Sequence, residues 1–466
     1  MKDVKKLKIA YIGGGSRGWA RGLMSDLALE EKICGTVYLY DIDFEAASDN
    51  AVIGNRMKDL PECKSTWEYI AVKEIGDALT GADFVVISIL PGTFEEMASD
   101  VHAPEEYGIY QSVGDTVGPG GIVRAMRTVP MFKEIALAVK EYCPSAWVIN
   151  YTNPMTVCTK TLYSVFPQIK AFGCCHEVFA TQEFIASVYN KKHGTNMTRR
   201  EIETNIYGVN HFTWVNKAHC RGEDVMPMIR EYANESNGES DSESLSWMNK
   251  NFAQNNSVKL DLLKRYGSLA AAGDRHLAEF CPGKWYLKDP ETVKSWKFDL
   301  TKVSWRKEYR QALIKKTKDI ISGAEALKIE PTGEEGVNQM VALVGLGSYV
   351  TNVNVPNVGQ IPNLPMGAVV ETNAYFSSDC VTPLLAGEIP DAINHLEIRH
   401  VYNQEETVAA VLAGDYERVF RVFINDPNMQ LPLEQARELF NKMLENTKEY
   451  LPDYEEYIKL RRSKDE

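Results

Sequence analysis

The sequence has no long hydrophobic run, no excess of basic residues and no even number of cysteines. Its longest apolar run, about Phe84 to Leu90, is far shorter than the roughly 20 residues that a membrane-spanning helix needs. The 64 acidic residues outnumber the 51 basic ones, and a net charge of −13 argues against a general nucleic-acid-binding protein. Nine cysteines cannot all be paired, and their scatter along the chain is typical of reduced thiols. We therefore predict a soluble, cytoplasmic protein that binds neither membranes nor nucleic acids.

The chain is long enough for two domains, and its N-terminal part has the alternating strand and helix patterns of an α/β protein. The N-terminal lysines run through four apolar residues into glycines, which predicts a strand and a turn and no signal peptide. Short β-branched runs then alternate with amphipathic segments, a pattern typical of a parallel sheet covered by helices on both faces. Because the pattern changes after about residue 192, we predict two domains, residues 1–195 and 196–466.

The pattern also predicts individual elements. Strands are expected over residues 8–12, 36–40, 67–72, 83–90, 146–150 and 169–173, and helices over 19–30, 44–57, 129–142 and 181–189. Residues 114–121 are too rich in glycine for packing and are expected to form a loop, as are the polar residues 234–243 and the turns at 351–359. Residues 433–466 are expected to form one charged amphipathic surface helix.

The first expected strand is followed by the string G-G-G-S-R-G, which fits the dinucleotide-binding pattern G-x-G-x-x-G. Gly13 permits a tight turn, Gly15 lets a pyrophosphate approach the backbone, and Gly18 allows close packing of helix on strand. Ser16 lies inside the same loop, before the helix whose free N–H groups face the phosphates. Asp41 ends the second strand, roughly 20 residues further on, where an acid binds ribose hydroxyls and favours NAD over NADP. The alternative is an ordinary α/β turn with a capping aspartate.

A cysteine and a histidine follow two later strands. Cys175 comes after the strand at 169–173, and His211 follows a short strand that ends near residue 209. Side chains at strand ends converge at the carboxyl edge of an open sheet, and this pair suits a divalent metal with open positions. From the spacing alone, a buried cysteine and a core histidine remain the favoured alternative.

Three further sites in the sequence carry polar side chains that could serve a ligand. Asn153 follows an expected strand, and Asp115 is the one carboxylate of the glycine-rich stretch. Asp274, Arg275 and His276 place an acid, a guanidinium and an imidazole side by side. Turn chemistry explains the first two equally well, and a helix N-cap explains Asp274.

Taken together, these motifs resemble glycoside hydrolase family 4, the NAD- and metal-dependent glycosidases. The glycine loop, T-N-P, C-H, N-H-F and G-D-R-H occur in the family's order between residues 8 and 280. The resemblance implies a Rossmann domain like that of lactate and malate dehydrogenases, followed by a C-terminal α/β domain. Within the family, residues 112–121 and 175–178 most resemble the α-galacturonidases of pectin breakdown. His176, where phospho-glycosidase members have aspartate, and the lack of an arginine at 97–104 argue against a 6-phospho-sugar substrate.

The resemblance also implies an unusual mechanism. NAD⁺ oxidises the hydroxyl at carbon 3, a base removes the acidified proton at carbon 2, the carbon-1 oxygen leaves by elimination, and water and hydride are then added back. Cys175 and His211 would hold Mn²⁺, and His176 would be the general acid and Asp274 the base. Asn153, Asp115 and Arg275 would contact the sugar. The candidates for binding a substrate carboxylate are Arg124, Arg127 and Arg275.

The substrate expected from this resemblance is an α-1,4-linked oligogalacturonide, and relatives suggest a homodimer or homotetramer. A hydrolase for neutral α-glucosides or α-galactosides is a second hypothesis. A 2-hydroxyacid dehydrogenase of the same fold is a third, but it would need no metal, so the pair Cys175 and His211 argues against it. A non-catalytic NAD sensor would leave the polar strand ends without a role.

Overall fold

The computed structural model describes residues 3–235 and 255–465, with side chains up to residue 459. Of the loop expected at 234–243, only residues 234 and 235 are described, at the end of a helix, and the rest lies outside the described residues. Within the described ranges, no helix has both the length and the apolar character needed to cross a membrane. All nine cysteines are free thiols, as the sequence predicts.

The strands have the following bounds in chain order: β1 Leu7–Ile12, β2 Gly35–Tyr40, β3 Trp67–Val72, β4 Phe84–Ile87, β5 Trp147–Asn150, β6 Lys170–Gly173, β7 Ile202–Val209, β8 Phe212–Cys220, β9 Glu223–Asp224, β10 Leu269–Ala270, β11 Tyr349–Pro356, β12 Val369–Ser377 and β13 Cys380–Pro383. The helices are α1 Trp19–Leu29, α2 Phe44–Met57, α3 Ile75–Leu79, α4 Phe94–His102, α5 Gly118–Tyr142, α6 Met155–Val165, α7 Glu177–His193, α8 Met226–Glu235, α9 Ser257–Tyr266, α10 Asp274–Phe280, α11 Pro290–Ser295, α12 Val303–Ser322, α13 Gly336–Leu343, α14 Asp391–Leu412, α15 Tyr416–Asn425, α16 Leu433–Thr447 and α17 Tyr454–Asp465.

Six parallel strands form one side of the larger sheet, in the order β3-β2-β1-β4-β5-β6, with β3 at the edge. This order reverses between β1 and β4, as in dinucleotide-binding folds, where ligands bind at the carboxyl ends of the strands beside the reversal. The central strand β4 reads FVVI and is buried at every position, which is typical of a strand covered on both faces. The predicted α/β class and Rossmann arrangement are therefore confirmed.

The same sheet continues into the C-terminal half of the chain. Strands β11, β12 and β13 add to β6 in antiparallel fashion and make a nine-stranded sheet. The turns expected at 351–359 are thus wrong over most of their length. Asn352 and Asn354 tolerate the strand because their buried amides donate to Glu371 and to the sulfur of Met155. The boundary at residue 195 stays a prediction, since the large sheet contains strands from both sides of it.

A smaller antiparallel sheet of β7, β8, β9 and β10 stands beside the large one. Its main hairpin joins β7 to β8 through Asn210 and His211, and Val209 pairs with Phe212 across the turn. His211, the second residue of the turn, adopts a left-handed φ of 67° and Asn210 does not, the pattern of φ signs found in a type II turn. The backbone turn therefore fixes the direction in which the imidazole leaves the sheet.

Two expectations about helices need correction. α5 begins at Gly118, not near residue 129, and its glycines are packed: a Cβ on Gly121 would lie 2.3 Å from the carbonyl carbon of Thr116. The absence of side chains is what lets the helix approach the preceding loop. The C-terminal segment forms two helices, α16 and α17, instead of one. α16 is amphipathic as expected, because Leu439 and Phe440 are fully buried while Glu434 and Glu438 are exposed.

Candidate active site

A cleft with a volume of about 1230 Å³ opens at the carboxyl ends of the parallel strands. Its volume exceeds the usual range of small-ligand pockets, roughly 300–1,000 Å³, and leaves room for both a dinucleotide and a sugar. The glycine loop lines one end of the cleft. The other end is lined by residues that follow β5, β6 and β7 and by the face of α12.

The loop after β1 is built for close approach of a ligand. Gly13 has a φ of 89°, and a Cβ there would lie 2.0 Å from the carbonyl oxygen of Ser88. The Asn50 amide donates to the carbonyl oxygens of Gly14 and Ser16, at 2.7 and 3.0 Å, and so holds the loop from below. The Ser16 hydroxyl accepts the N–H of Trp19 at the start of α1. The geometry is that of a phosphate-binding turn at a helix N-terminus.

Asp41 lies beside this loop, directly after β2. Its Oδ2 accepts the N–H of Gly15 at 2.8 Å, and its Oδ1 accepts the N–H of Asp43 at 2.9 Å. Burial raises the pKa of the Asp41 carboxyl, although the two backbone donors and Arg17 favour its charged form. Asp41 and the glycine loop both line the cleft, so the structure brings together the residues that the sequence assigns to a dinucleotide.

Asp115, His211 and His276 form a cluster deeper in the same cleft. One potential ligand atom from each lies within 4.8 Å of the other two. The two imidazole rings are 3.7 Å apart between centroids. Burial lowers the pKa of His211 to about 3 and also lowers that of His276, so both rings are neutral near pH 7 and keep a lone pair. Two imidazoles and one carboxylate are donors that Mn²⁺ accepts.

The Thr116 hydroxyl settles which nitrogen of His211 is available. It donates to Oδ1 of Asp115 at 2.7 Å and lies 3.1 Å from Nδ1 of His211. Since the hydroxyl proton is already used, Nδ1 must carry the proton of the ring and donate it to Thr116. Nε2 is then the nitrogen with a free lone pair, the arrangement that supporting residues impose on metal-binding histidines.

Asp115 carries a full negative charge in this cluster. Burial alone would raise its pKa, but the neighbouring His276, His211 and Arg124 outweigh burial and lower the pKa to about 2. The Asn153 amide donates to Oδ2 of Asp115 at 3.3 Å. The structure therefore brings together three residues that the sequence assigned separately, to the sugar and to the metal.

The two residues after β6 line the cleft as well. Cys175 is buried, and burial raises its thiol pKa. It is not part of the group of three ligand atoms found among the described residues, so its role as a metal ligand stays a prediction. His176 begins α7, and its Nδ1 lies 3.1 Å from Oε1 of Glu334. Burial opposes the charge of His176, but Glu334 prevails and raises its pKa to about 9, which keeps an acidic proton available near pH 7.

Two residues of the site are missing from the sequence-based assignment. The sequence motif contains His276 but assigns it no role of its own. In the structure its Nδ1 is buried with no hydrogen-bond partner among the described residues. Glu177 lies next to the imidazoles of His176 and His276 and accepts the N–H of Gly273 at 2.7 Å. Burial opposes its charge, but the histidines lower its pKa to about 2. The G-D-R-H string signals His276, whereas nothing local signals Glu177.

The expected base is the residue that the structure places elsewhere. Asp274 is 1 % exposed and is not among the residues that line the cleft. Its Oδ1 accepts the backbone N–H of Lys259 at 3.1 Å, in the first turn of α9. Asp274 thus has the position of a helix-capping residue, the alternative that the sequence left open, and it caps α9 instead of its own helix. Arg275 does line the cleft.

Known proteins resemble this chain over nearly its whole length. Models of family 4 glycosyl hydrolases match residues 8–191, and the model of their C-terminal domain matches residues 206–429. An α-galacturonidase of Thermoanaerobacterium saccharolyticum is 57 % identical over 96 % of this chain and 97 % of its own length. An α-galacturonidase of Bacillus subtilis is 51 % identical over 96 % and 98 %.

Solved structures agree with the fold. The crystal structure of a candidate glucosidase from Bacillus subtilis is 50 % identical and has a TM-score of 0.89, covering 94 % of this chain and 100 % of that chain. A 6-phospho-α-glucosidase from gut microorganisms, solved with NAD and Mn²⁺, has a TM-score of 0.79 over 96 % and 99 %, and its 17 % identity limits the likeness to the fold. With both family models matched and relatives above 50 % identity, the chain belongs to glycosyl hydrolase family 4.

Proposed function

We propose that this family 4 hydrolase cleaves α-1,4-linked oligogalacturonides with the help of NAD and Mn²⁺ or another divalent metal. The observation that carries the proposal is a single cleft in which a dinucleotide-binding loop and the cluster of Asp115, His211 and His276 face the same space. The relatives named α-galacturonidase, which are 50–57 % identical, support the choice of sugar.

The residues of the cleft fit both groups. At the loop, a Cβ on Gly13 would collide with Ser88, and one on Gly15 with Ala46 and Asp41, so the tight turn requires glycine at both positions. Both glycines line the cleft, as the turn of a pyrophosphate site requires. Gly18 precedes α1, and the carboxyl of Asp41 suits ribose hydroxyls. At the cluster, the neutral imidazoles of His211 and His276 and the charged Asp115 offer two nitrogens and one oxygen. The buried Nδ1 of His276 has no other described partner.

When bound, NAD supplies reversible hydride transfer at carbon 3 of the sugar, and the metal supplies Lewis-acid polarisation of the sugar's oxygens. The chain's own residues orient the sugar and protonate the departing oxygen. We assign Cys175 to the metal with His211; it would bind as a thiolate, so metal binding would release the thiol proton that burial otherwise retains. The Asn153 amide, already bonded to Asp115, orients the sugar between the two groups.

His176 is the general acid for the departing oxygen in this proposal. It lines the cleft at the N-terminus of α7, its ring lies 5.8 Å from that of Trp19, and the Glu334 carboxylate fixes its Nδ1. The opposite nitrogen, Nε2, lies 3.9 Å from Oε1 of Glu177, so both neighbouring carboxylates favour the protonated ring. The base at carbon 2 has no such position: Asp274 stays a prediction from the resemblance, because its carboxylate caps α9.

An assay with labelled solvent tests the reaction. Digalacturonate is incubated in D₂O with NAD⁺, Mn²⁺ and a thiol reductant, leaving out one component at a time, and the product is examined by NMR. We expect cleavage that requires both NAD⁺ and Mn²⁺, without net NADH formation, and deuterium at carbon 2. Cleavage of digalacturonate with hydrogen retained at carbon 2 would refute the elimination route.

Two alternatives are distinguished by the same assay. Maltose and melibiose are run in parallel, and faster cleavage of either would indicate a neutral α-glucosidase or α-galactosidase. Stoichiometric accumulation of NADH would indicate a dehydrogenase. The carboxylate–imidazole cluster favours the hydrolase, because a 2-hydroxyacid dehydrogenase needs no metal.

We also propose that the enzyme works in the cytoplasm as a homo-oligomer, a dimer or a tetramer. Nine free thiols, one of them assigned to the metal, suit a reducing compartment. Exposed apolar side chains near the outer strands of the large sheet, such as Val350, Tyr375 and Leu385, are suitable for contact with a second copy. Light scattering coupled to size-exclusion chromatography would show a monomer if this is wrong.

A further inference from the structure

One wall of the cleft is formed by helix α12, which presents a cationic and aromatic face. The residues from its first turns that line the cleft are Trp305, Arg306, Tyr309 and Arg310. Positions four residues apart share a helix face, and the rings of Trp305 and Tyr309 stack at 5.1 Å with an angle of 10° between their planes. An acidic protein therefore concentrates positive charge on the cleft side of one helix.

Arg306 lines the same cleft as the cluster of Asp115, His211 and His276. Burial lowers the pKa of Arg306, whereas the charge of Asp115 raises it, which places the guanidinium within electrostatic reach of that carboxylate. Arg306 is only partly buried, so a ligand in the cleft has access to it. A sugar held next to Asp115 has Arg306 as a neighbour.

Arg275 supplies a second, fixed positive charge at the same place. Its Nε donates to the carbonyl oxygen of Asp299 at 3.0 Å, and its Nη2 donates to that of Ser112 at 2.5 Å. Burial lowers the pKa of Arg275, and the next largest cause is the charge of Arg306. Two guanidinium groups that repel each other in a partly buried cleft are stabilised when an anion binds between them.

The other two arginines considered from the sequence are less accessible to a ligand than Arg306. Arg127 is fully buried and does not line the cleft, its Nη1 donates to Oδ1 of Asp100 at 3.0 Å, and its Nη2 donates to Oδ2. Arg124 lines the cleft but is only 4 % exposed, and its Nε donates to the carbonyl oxygen of Asn153. Arg306 is therefore the more accessible guanidinium, and it lines the cleft together with Arg275.

We propose that Arg306 binds the carboxylate of the uronate sugar at the reactive position, with Arg275 as the fixed second cation that completes the anion site. The proposal rests on the proposed function, because it needs a sugar bound beside Asp115. It makes Arg306 a specificity-determining residue: its planar guanidinium distinguishes a uronate from the corresponding neutral sugar.

The experiment pairs a change of charge on the enzyme with a change of charge on the ligand. Binding of galacturonate and of its uncharged methyl ester is measured by calorimetry on enzyme loaded with NAD⁺ and Mn²⁺. The variants are Arg306→Gln, Arg306→Lys and the control Lys307→Gln. Lys307 is the next residue on α12, but it forms an ion pair with Glu95 and does not line the cleft. NAD⁺ affinity serves as the check that each variant is folded.

We expect the wild-type enzyme to prefer the anion over the ester by about 10- to 100-fold, the range for a hydrogen bond to a charged group. Arg306→Gln should abolish this preference by weakening the binding of galacturonate and not that of the ester. Arg306→Lys should keep part of the preference, and Lys307→Gln should keep all of it. A preference that survives in Arg306→Gln would overturn the proposal while leaving the proposed function intact. A wild-type enzyme that does not cleave digalacturonate would overturn both.

Discussion

Replacing Thr116 by valine removes one hydroxyl and almost nothing else from the metal-binding cluster. Valine has nearly the shape of threonine, so at this 4 % exposed position the substitution changes the polarity of the side chain and hardly its volume. The hydroxyl makes two contacts, a hydrogen bond of 2.7 Å to Asp115 and one of 3.1 Å to Nδ1 of His211. Without it the ring of His211 is free to carry its proton on Nε2, the nitrogen that a metal needs.

The magnitude follows from these two contacts. A hydrogen bond to a charged carboxylate contributes about 1.5–3 kcal/mol and a neutral one about 0.5–1.5 kcal/mol. Part of this hydrogen-bond energy stabilises the fold, so its loss lowers the free energy of unfolding. The rest holds the ligands in place, and the loss of a supporting partner typically weakens metal binding by about 10–100-fold. We therefore expect Thr116→Val to raise the dissociation constant for Mn²⁺ by one to two orders of magnitude, with NAD⁺ binding unchanged.

Titration of Mn²⁺ followed by electron paramagnetic resonance measures the free ion directly. Thr116→Ser is the matched control, since serine keeps the hydroxyl and loses only a methyl group. It should bind Mn²⁺ within a few-fold of the wild type. If Thr116→Val binds Mn²⁺ as tightly as the wild-type enzyme, the assignment of the metal to Asp115 and His211, and the tautomer argued for His211, are both refuted.

Three further predictions concern the metal site, the ribose-binding carboxylate and the packing of α5. Cys175→Ser and, separately, His276→Gln should each weaken Mn²⁺ binding and abolish turnover while leaving NAD⁺ binding intact. In the same titration, normal Mn²⁺ affinity in either variant would remove that residue from the metal site. Asp41→Ala should lower the preference for NADH over NADPH, measured by fluorescence of the bound nucleotide, because the carboxylate no longer repels a 2′-phosphate; an unchanged ratio would contradict the ribose role. Gly121→Ala should lower the melting temperature, since the new Cβ would lie 2.3 Å from the carbonyl carbon of Thr116 and overpacking costs about 1–3 kcal/mol; a variant as stable as the wild type would show that α5 can move.

The parallel sheet could be predicted from the sequence because each of its strands has a recognisable local sequence pattern. Continuous apolar runs such as FVVI mark buried strands, and glycines mark the turn after β1. The strand β11 could not be predicted, since Asn352 and Asn354 are poor strand formers. They become acceptable only through Glu371 and Met155, which lie on other elements.

The residues of the candidate site also fall into those that the sequence could predict and those that it could not. Cys175, His176 and Asn153 follow parallel strands of the large sheet, whose topology carries such residues to one edge, so their meeting could be foreseen. His211 lies in the turn between β7 and β8 of the smaller antiparallel sheet, so its approach to them does not follow from that topology. The cluster of Asp115 with His276 depends on how the loop before α5 meets α10, which no local pattern records. The role of Asp274 as the base stays a prediction, because its carboxylate accepts the backbone N–H of Lys259 at the N-terminus of α9, a contact that no local pattern records.

The nine-stranded sheet has a consequence for how the chain folds as it is synthesised. Strand β6 ends at residue 173, and β11, the strand that covers its outer edge, begins only at residue 349. At roughly 5–20 residues per second, the ribosome takes about 10–35 s to deliver that partner. During this interval the Rossmann part presents a buried-type strand with an open edge, the feature that invites pairing with other chains. The two halves matched by separate family models are for this reason not interchangeable modules, and a fragment ending near residue 195 would be prone to aggregate.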